Sequence, residues 1–115
     1  MNIEFKKENG ILFVTPQDKS IESVNSREFT GQLTELINQE NTLLVLNLSQ
    51  IKFMDSSGLG SLISIAKLLA NSQGKLVICE AQDLVKKIFL LTRLDQVFQN
   101  FSSEKEAVNS LEMLK

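Results

Sequence analysis

Short apolar runs separated by polar, glycine-bearing turns mark the start of the chain, and longer stretches with helical periodicity follow. Residues 3–7 and 10–15 alternate or run apolar around Asn9-Gly10, a dipeptide that favours a tight hairpin turn. Ile3 and Phe5 belong to the first predicted strand, and Ile11, Leu12, Phe13 and Val14 to the second. Pro16 cannot donate to a ladder and ends that strand, and residues 17–20 predict a polar turn. From 24 to 40, Phe29, Leu33, Leu36 and Ile37 recur at helical spacing, with Ser23 or Asn25 as the candidate cap. Asn41-Thr42 break the pattern. Residues 43–48 are then apolar on both faces, as in a strand covered on both sides.

The polar string Asp55-Ser56-Ser57-Gly58 follows, and helical periodicity resumes from Leu59 to about Asn71, closed by Gln73-Gly74. Residues 75–79 form a second two-sided strand, so strand–helix–strand here predicts a parallel pair. Glu80-Ala81-Gln82-Asp83 begins a third predicted helix, with Leu84, Val85, Ile88 and Phe89 expected on its inner face. Val97-Phe98 reads as a short edge strand. Residues 102–106 resemble a capped helix start, with Ala107, Val108 and Leu111 facing inward. With no linker or internal repeat, residues 1–115 read as one α/β domain: a mixed central sheet with parallel core strands flanked by about four helices.

The centre of this plan is Met54-Asp55-Ser56-Ser57-Gly58-Leu59-Gly60. It sits on a strand-to-helix turn, where open α/β sheets place their sites and where a helix N-terminus offers free N–H groups. At about 100° per residue, Leu59, Leu62, Ile63, Ala66, Leu69 and Ala70 gather on one side of the helix, the expected core face. Ser57, Ser61, Ser64 and Leu68 line the other, with Gly60, Ile65, Lys67 and Asn71 around them. That stripe is small and weakly charged, unlike an ordinary solvated face. Two readings stand: a docking surface, or a face covered by another helix of the same domain. Asp55 likewise reads as an N-cap, as a functional acid, or as both. Ser56 and Ser57 read as capping residues or as functional hydroxyls. Gly58 and Gly60 carry a helix-propensity cost that close approach of another backbone would explain.

Composition narrows the chemistry. The 115 residues contain no histidine, so no Ser–His–Asp or Cys–His unit can be built from this chain alone. One cysteine and no histidine give no zinc-type spacing, and no cofactor is expected. Gly58-Leu59-Gly60 lacks the third glycine of a dinucleotide fingerprint, because position 63 is Ile63. No Walker A or G-x-S-x-G string occurs, and a non-enzymatic role is expected. A formal charge of −2 without a basic block argues against nucleic acid. A charged N-terminus, a lone cysteine and no apolar run near the ~20 residues needed to span a bilayer predict a cytoplasmic protein without direct membrane insertion.

Met54-Asp55-Ser56-Ser57-Gly58-Leu59-Gly60, after an apolar strand and before an apolar helix, resembles the STAS domain of bacterial anti-sigma factor antagonists. The resemblance extends through Gly74-Lys75-Leu76-Val77-Ile78, Val85-Lys86-Lys87-Ile88-Phe89 and Leu94-Asp95-Gln96-Val97-Phe98. It implies that the serine before the first glycine, Ser57, is phosphorylated, with Ser56 as second choice. It further implies a partner anti-sigma factor that is a serine kinase using ATP, bound by the unphosphorylated protein so that a sigma factor is released, and a serine phosphatase that resets the switch. The partner surface is expected to include Asp55, Ser56, Ser57, Gly58, Gly60, Ser61, Ser64, Ile65 and Leu68. The main alternative within the family is an unphosphorylated subunit of a membrane transport assembly, such as a lipid-transport ATPase. Pro16-Gln17-Asp18-Lys19-Ser20-Ile21 stands where the family often has a Gly-Glu-Leu-Asp-like turn, which leaves the partner's identity open. Arg93 stands where glycine is common, and is expected to mark a local loop change.

Overall fold

The sheet grows outward from a hairpin. In the computed structural model, which describes residues 1–37 and 42–113, β1 (Ile3–Glu8) and β2 (Ile11–Pro16) pair antiparallel from Ile3↔Pro16 to Glu8↔Ile11. Asn9 (φ 53°) and Gly10 (φ 79°) both take the left-handed conformation that matches a turn to the twist of its strands. β2 then lies parallel to β4 (Leu43–Asn47), β4 to β6 (Lys75–Cys79), and β6 to the short β7 (Asn100–Phe101). The sheet order is β1-β2-β4-β6-β7. Each parallel step is bridged by a helix: α1 (Ser26–Leu36), α2 (Ser56–Asn71) and α3 (Asp83–Leu91), while α4 (Glu104–Glu112) follows β7. The mixed sheet with parallel core strands and four helices is the expected architecture.

Alternation along the strands builds two cores. Leu12, Val14, Leu44, Leu46, Leu76 and Ile78 face one side and pack with Phe29, Leu33, Leu62, Leu69, Val85 and Phe89 from α1, α2 and α3. Ile11, Phe13, Val45, Val77 and Cys79 face the other side, covered by Ala107 and Leu111 of α4. The α4 start has capping-box chemistry: Ser103 Oγ accepts from Glu106 N–H (3.2 Å), and Glu106 Oε2 reaches back to Ser102 N–H (3.2 Å).

Several local expectations change. A two-residue parallel ladder, β3 (Ser20–Ile21) with β5 (Phe53–Met54), replaces part of the predicted polar turn. α1 starts at Ser26, because the Asn25 carboxamide is engaged in the preceding loop: Oδ1 accepts from Glu22 N–H (2.8 Å) and Nδ2 donates to Ser20 O (2.9 Å). Neither Ser23 nor Asn25 caps α1 through its side chain. The expected run of that helix to Glu40, and the break at Asn41, lie outside the described residues. Leu84 is 50% exposed, so the inner face of α3 is carried by Val85 and Phe89. Val97-Phe98 is not a strand: a 3₁₀ turn at Leu94–Gln96 precedes it, and Phe98 plugs the core beside Phe89, ring centroids 6.2 Å apart. The edge strand forms two residues later, as β7. Arg93 holds φ 62°, a conformation in which glycine is favoured, so the backbone there keeps a glycine-like path under a charged side chain. At the end of α2, Gln73 takes the left-handed residue (φ 59°), and Gly74 is demanded instead by close approach, since a Cβ there would lie 1.9 Å from Thr42 O.

Candidate functional site

The β3–β5 ladder sets the position of the motif. It brings the 16–21 loop against Phe53–Met54, and Lys52 N–H donates to Lys19 O at 2.6 Å. Asp55 then leaves extended (φ −96°, ψ −173°) and caps α2: Oδ1 accepts from Gly58 N–H at 2.9 Å. Its other oxygen, Oδ2, accepts from Ser23 N–H at 3.0 Å, thirty-two positions away in the loop before α1. One carboxylate therefore joins the helix start to the neighbouring loop. The hydrogen bond from Gly58 N–H holds the Asp55 carboxyl below its usual range; desolvation opposes it, and the hydrogen bond from Ser23 N–H adds to the lowering. Asp55 is a cap, and its second oxygen gives it more than a local role.

Gly58 is buried against β3. A Cβ at this position would lie 2.0 Å from Ile21 O, so close backbone approach requires glycine. At Gly60 an added Cβ meets nothing within 4 Å, and the residue is exposed. The two glycines thus differ in kind: one is required by the domain's own packing, the other is not.

The exposed face of α2 lies about a quarter turn from the expected stripe. Ser56, Gly60, Ser64, Lys67, Ala70 and Asn71 are exposed, Ile63 and Ala66 are half-buried, and so are Ser57 and Leu68. Ser61 (5% exposed) and Ile65 (1%) are covered by α1, which corrects their placement on an outward docking face. Ser61 can be buried because its hydroxyl proton is shared between Ser26 O (3.2 Å) and Ser57 O (3.1 Å), satisfying it at the α1–α2 seam. The reading in which a helix of the same domain covers the stripe holds for this side of α2. Gly58, as a buried backbone contact, also offers no surface. Among the expected partner residues, Ser56, Gly60 and Ser64 stand on the solvent face, with Asp55, Ser57 and Leu68 at its margin. Neither the Ser56 nor the Ser57 hydroxyl is engaged in a hydrogen bond among the described residues. Sequence reasoning missed Ser23 and Val24: Ser23 is bound to Asp55, and Val24 is 87% exposed beside it. The sequence offered Ser23 only as a helix cap and gave no sign of Val24.

No described helix is long and apolar enough to cross a membrane. The model of one family, the STAS domain, matches residues 2–107. The chain is 26% identical over 115 residues to the anti-sigma F factor antagonist of Paenibacillus polymyxa, covering 99% of this chain and 97% of that one. The fold is similar to the crystal structure of an anti-sigma factor antagonist from Mycobacterium paratuberculosis (TM-score 0.84, 19% identity, 96% and 93% of the two chains). It is also similar to the phosphorylated form of SpoIIAA, a Bacillus cell fate determinant (TM-score 0.70, 17% identity, 95% and 98%).

Proposed function

The chain belongs to the STAS domain family, and from that premise we propose that it is a phosphorylation-switched anti-sigma factor antagonist acting in the cytoplasm. In this reading the unphosphorylated protein binds an anti-sigma factor that is also an ATP-dependent serine kinase. The bound anti-sigma factor releases its sigma factor, phosphate transfer to Ser57 ends the complex, and a serine phosphatase restores it. The observation that carries the reading is the unengaged serine pair in the first turn of α2, flanked by the Asp55 cap. The Paenibacillus polymyxa relative is named an anti-sigma F factor antagonist, and the phosphorylated SpoIIAA fold supports a phosphate-bearing state for this architecture.

Ser57 is the acceptor by its position before Gly58. Its supposed outward angle does not support the choice, since Ser56 is the more exposed of the two. A phosphate adds about −1.5 to −2 charges and three acceptor oxygens. At a helix N-terminus that charge is tolerated in the free domain. In a packed interface it must be desolvated and meets partner groups placed for a neutral hydroxyl. A loss of about 4 kcal/mol lowers affinity about a thousandfold, enough for a switch. The 16–21 loop, held next to the serines by β3, lies where a partner touching them also meets it, so its departure from the family pattern bears on which partner binds.

The test is incubation with the cognate kinase and ATP, followed by peptide mapping. Label on the peptide containing Ser57, lost in Ser57→Ala, is the expected result. Phosphate confined to Ser56, or undiminished label in Ser57→Ala, overturns the assignment. Equal affinity of both forms for the partner overturns the switch.

A further inference from the structure

A second polar cluster lies across the sheet from α2, where the C-terminal ends of β4 and β6 meet the start of α4. Cys79, the last residue of β6, is fully buried, and its thiol has no hydrogen-bond partner among the described residues. Glu80 follows it, and Glu104 opens α4. Cys79 Sγ and one carboxylate oxygen from each glutamate all lie within 4.8 Å of one another. Asn47, at the end of β4 and 7% exposed, donates Nδ2 to Glu80 Oε2 (3.0 Å) and to Glu104 Oε2 (3.1 Å). The amide is itself fixed, since its Oδ1 accepts from Ser49 N–H at 2.8 Å. Neither glutamate is ion-paired with a lysine or arginine among the described residues.

Two carboxylates converging on one amide repel each other, and a cation between them relieves that repulsion. The buried thiol aimed at the same point decides which cation. Mg²⁺ and Ca²⁺ prefer oxygen donors alone, whereas a thiolate with carboxylates suits a borderline-soft ion such as Zn²⁺. The geometry points to a divalent-metal site of the Zn²⁺ class formed by Cys79, Glu80 and Glu104, with solvent in the fourth position and Asn47 holding both carboxylates from outside. Glu80 is exposed and Glu104 half-buried, so the ion enters from the carboxylate side. Cys79 is fixed by its strand, and the two glutamate side chains close to metal–donor distances of about 2.0–2.3 Å.

Metal binding replaces the S–H bond with an S–metal bond and releases one proton to solvent, so affinity rises with pH. The bound ion would tie α4 to β6, away from the serine pair. The sequence carried no sign of the site, because a Cys-Glu pair and a glutamate far downstream match no metal-ligand spacing. The proposal departs from the expectation of no metal site, which rested on the missing histidines.

The experiment uses the full chain, stripped with chelator and titrated with Co²⁺ as a spectroscopic probe. A near-ultraviolet sulfur-to-cobalt charge-transfer band saturating at one ion per chain, displaced by Zn²⁺, is expected. So is a melting temperature that rises with Zn²⁺ concentration. Cys79→Ser removes the band. Glu80→Gln, at an exposed position that leaves the fold intact, weakens Co²⁺ binding at least ~tenfold, since loss of even an outer-shell partner costs that much. Folded wild-type protein that binds Co²⁺ without a sulfur band, or Glu80→Gln binding as tightly as wild type, overturns the proposal.

Discussion

Replacing each of the two motif glycines by alanine separates packing from helix propensity. An interior glycine-to-alanine change gains up to about 1 kcal/mol of helix propensity. At Gly60 nothing stands within 4 Å of the added Cβ, so Gly60→Ala keeps that gain. At Gly58 the Cβ falls 2.0 Å from Ile21 O, far inside contact distance, and Ile21 is held by the pairing of β3 with β5. Either α2 or the ladder must move. Overpacking of this kind costs typically about 1–3 kcal/mol, and the displaced backbone also loosens the Asp55–Ser23 link. The net expectation is that Gly58→Ala loses up to about 2 kcal/mol while Gly60→Ala gains up to about 1 kcal/mol. Urea unfolding followed by circular dichroism gives both values, and about 4 °C of melting temperature per kcal/mol gives a second reading. Gly58→Ala as stable as wild type would refute the close-approach argument, and a destabilised Gly60→Ala would show that a neighbour occupies its apparent open space.

Three further outcomes are expected. Ile65→Glu buries a charge at the α1–α2 seam and unfolds the domain, whereas Ser64→Glu on the exposed face changes stability by less than about 0.5 kcal/mol; thermal melts of the pair decide whether the exposed face has been correctly placed. The Asp55 carboxyl is held below 3.8 in the fold, so its contribution to stability is present above that value and disappears as pH falls through its folded pKa; Asp55→Ala lacks this component, and amide exchange at Ser23 speeds up in it at neutral pH. The Cys79 thiol, raised from 9.0 to about 12, contributes stability that is complete below pH 9 and falls between pH 9 and 12, with a slope approaching about 1.4 kcal/mol per unit; Cys79→Ala flattens that alkaline limb of the stability curve.

What was legible in the chain follows from what a linear pattern encodes. β4 and β6 stood out because strands covered on both sides must be apolar throughout. The hairpin stood out because Asn9-Gly10 supplies two residues tolerant of positive φ. The facing of α2 did not, since an apolar wheel counts Ser61 as outward, whereas its hydroxyl is buried with the Ser57 carbonyl of its own helix and the Ser26 carbonyl, thirty-five positions earlier, as acceptors. β3 and β5 are two residues each, too short for any periodicity, and they exist because their backbones meet. Val97-Phe98 looked like a strand because it is an apolar pair, yet its two side chains part company: Phe98 fills the core and Val97 is 62% exposed. Leu84 shows the same limit, for amphipathic spacing cannot tell which of two adjacent apolar residues turns inward.

On the proposed reading, charge added at Ser57 arrives in a helix turn where one donor, Gly58 N–H, is already engaged. Asp55 gives one oxygen to Gly58 N–H and the other to Ser23 N–H. A phosphate brings three more acceptor oxygens into that turn, beside an anion held ionised by those same donors. The helix dipole favours both negative groups, while their mutual repulsion acts on the weaker attachment. That attachment is the Ser23 link, because Gly58 N–H belongs to the helix that carries the serine and Ser23 lies in a separate loop. The packing beneath depends on neither charge: Gly58 rests on the Ile21 carbonyl by contact, and Ser61 closes the α1–α2 seam through a buried neutral hydroxyl. On this reading phosphorylation would act sideways, on the loop that presents the exposed Val24, and not downward into the sheet. A partner that touches both the serine and that loop would lose a neutral contact and a fixed apolar one together, while the domain beneath keeps its fold.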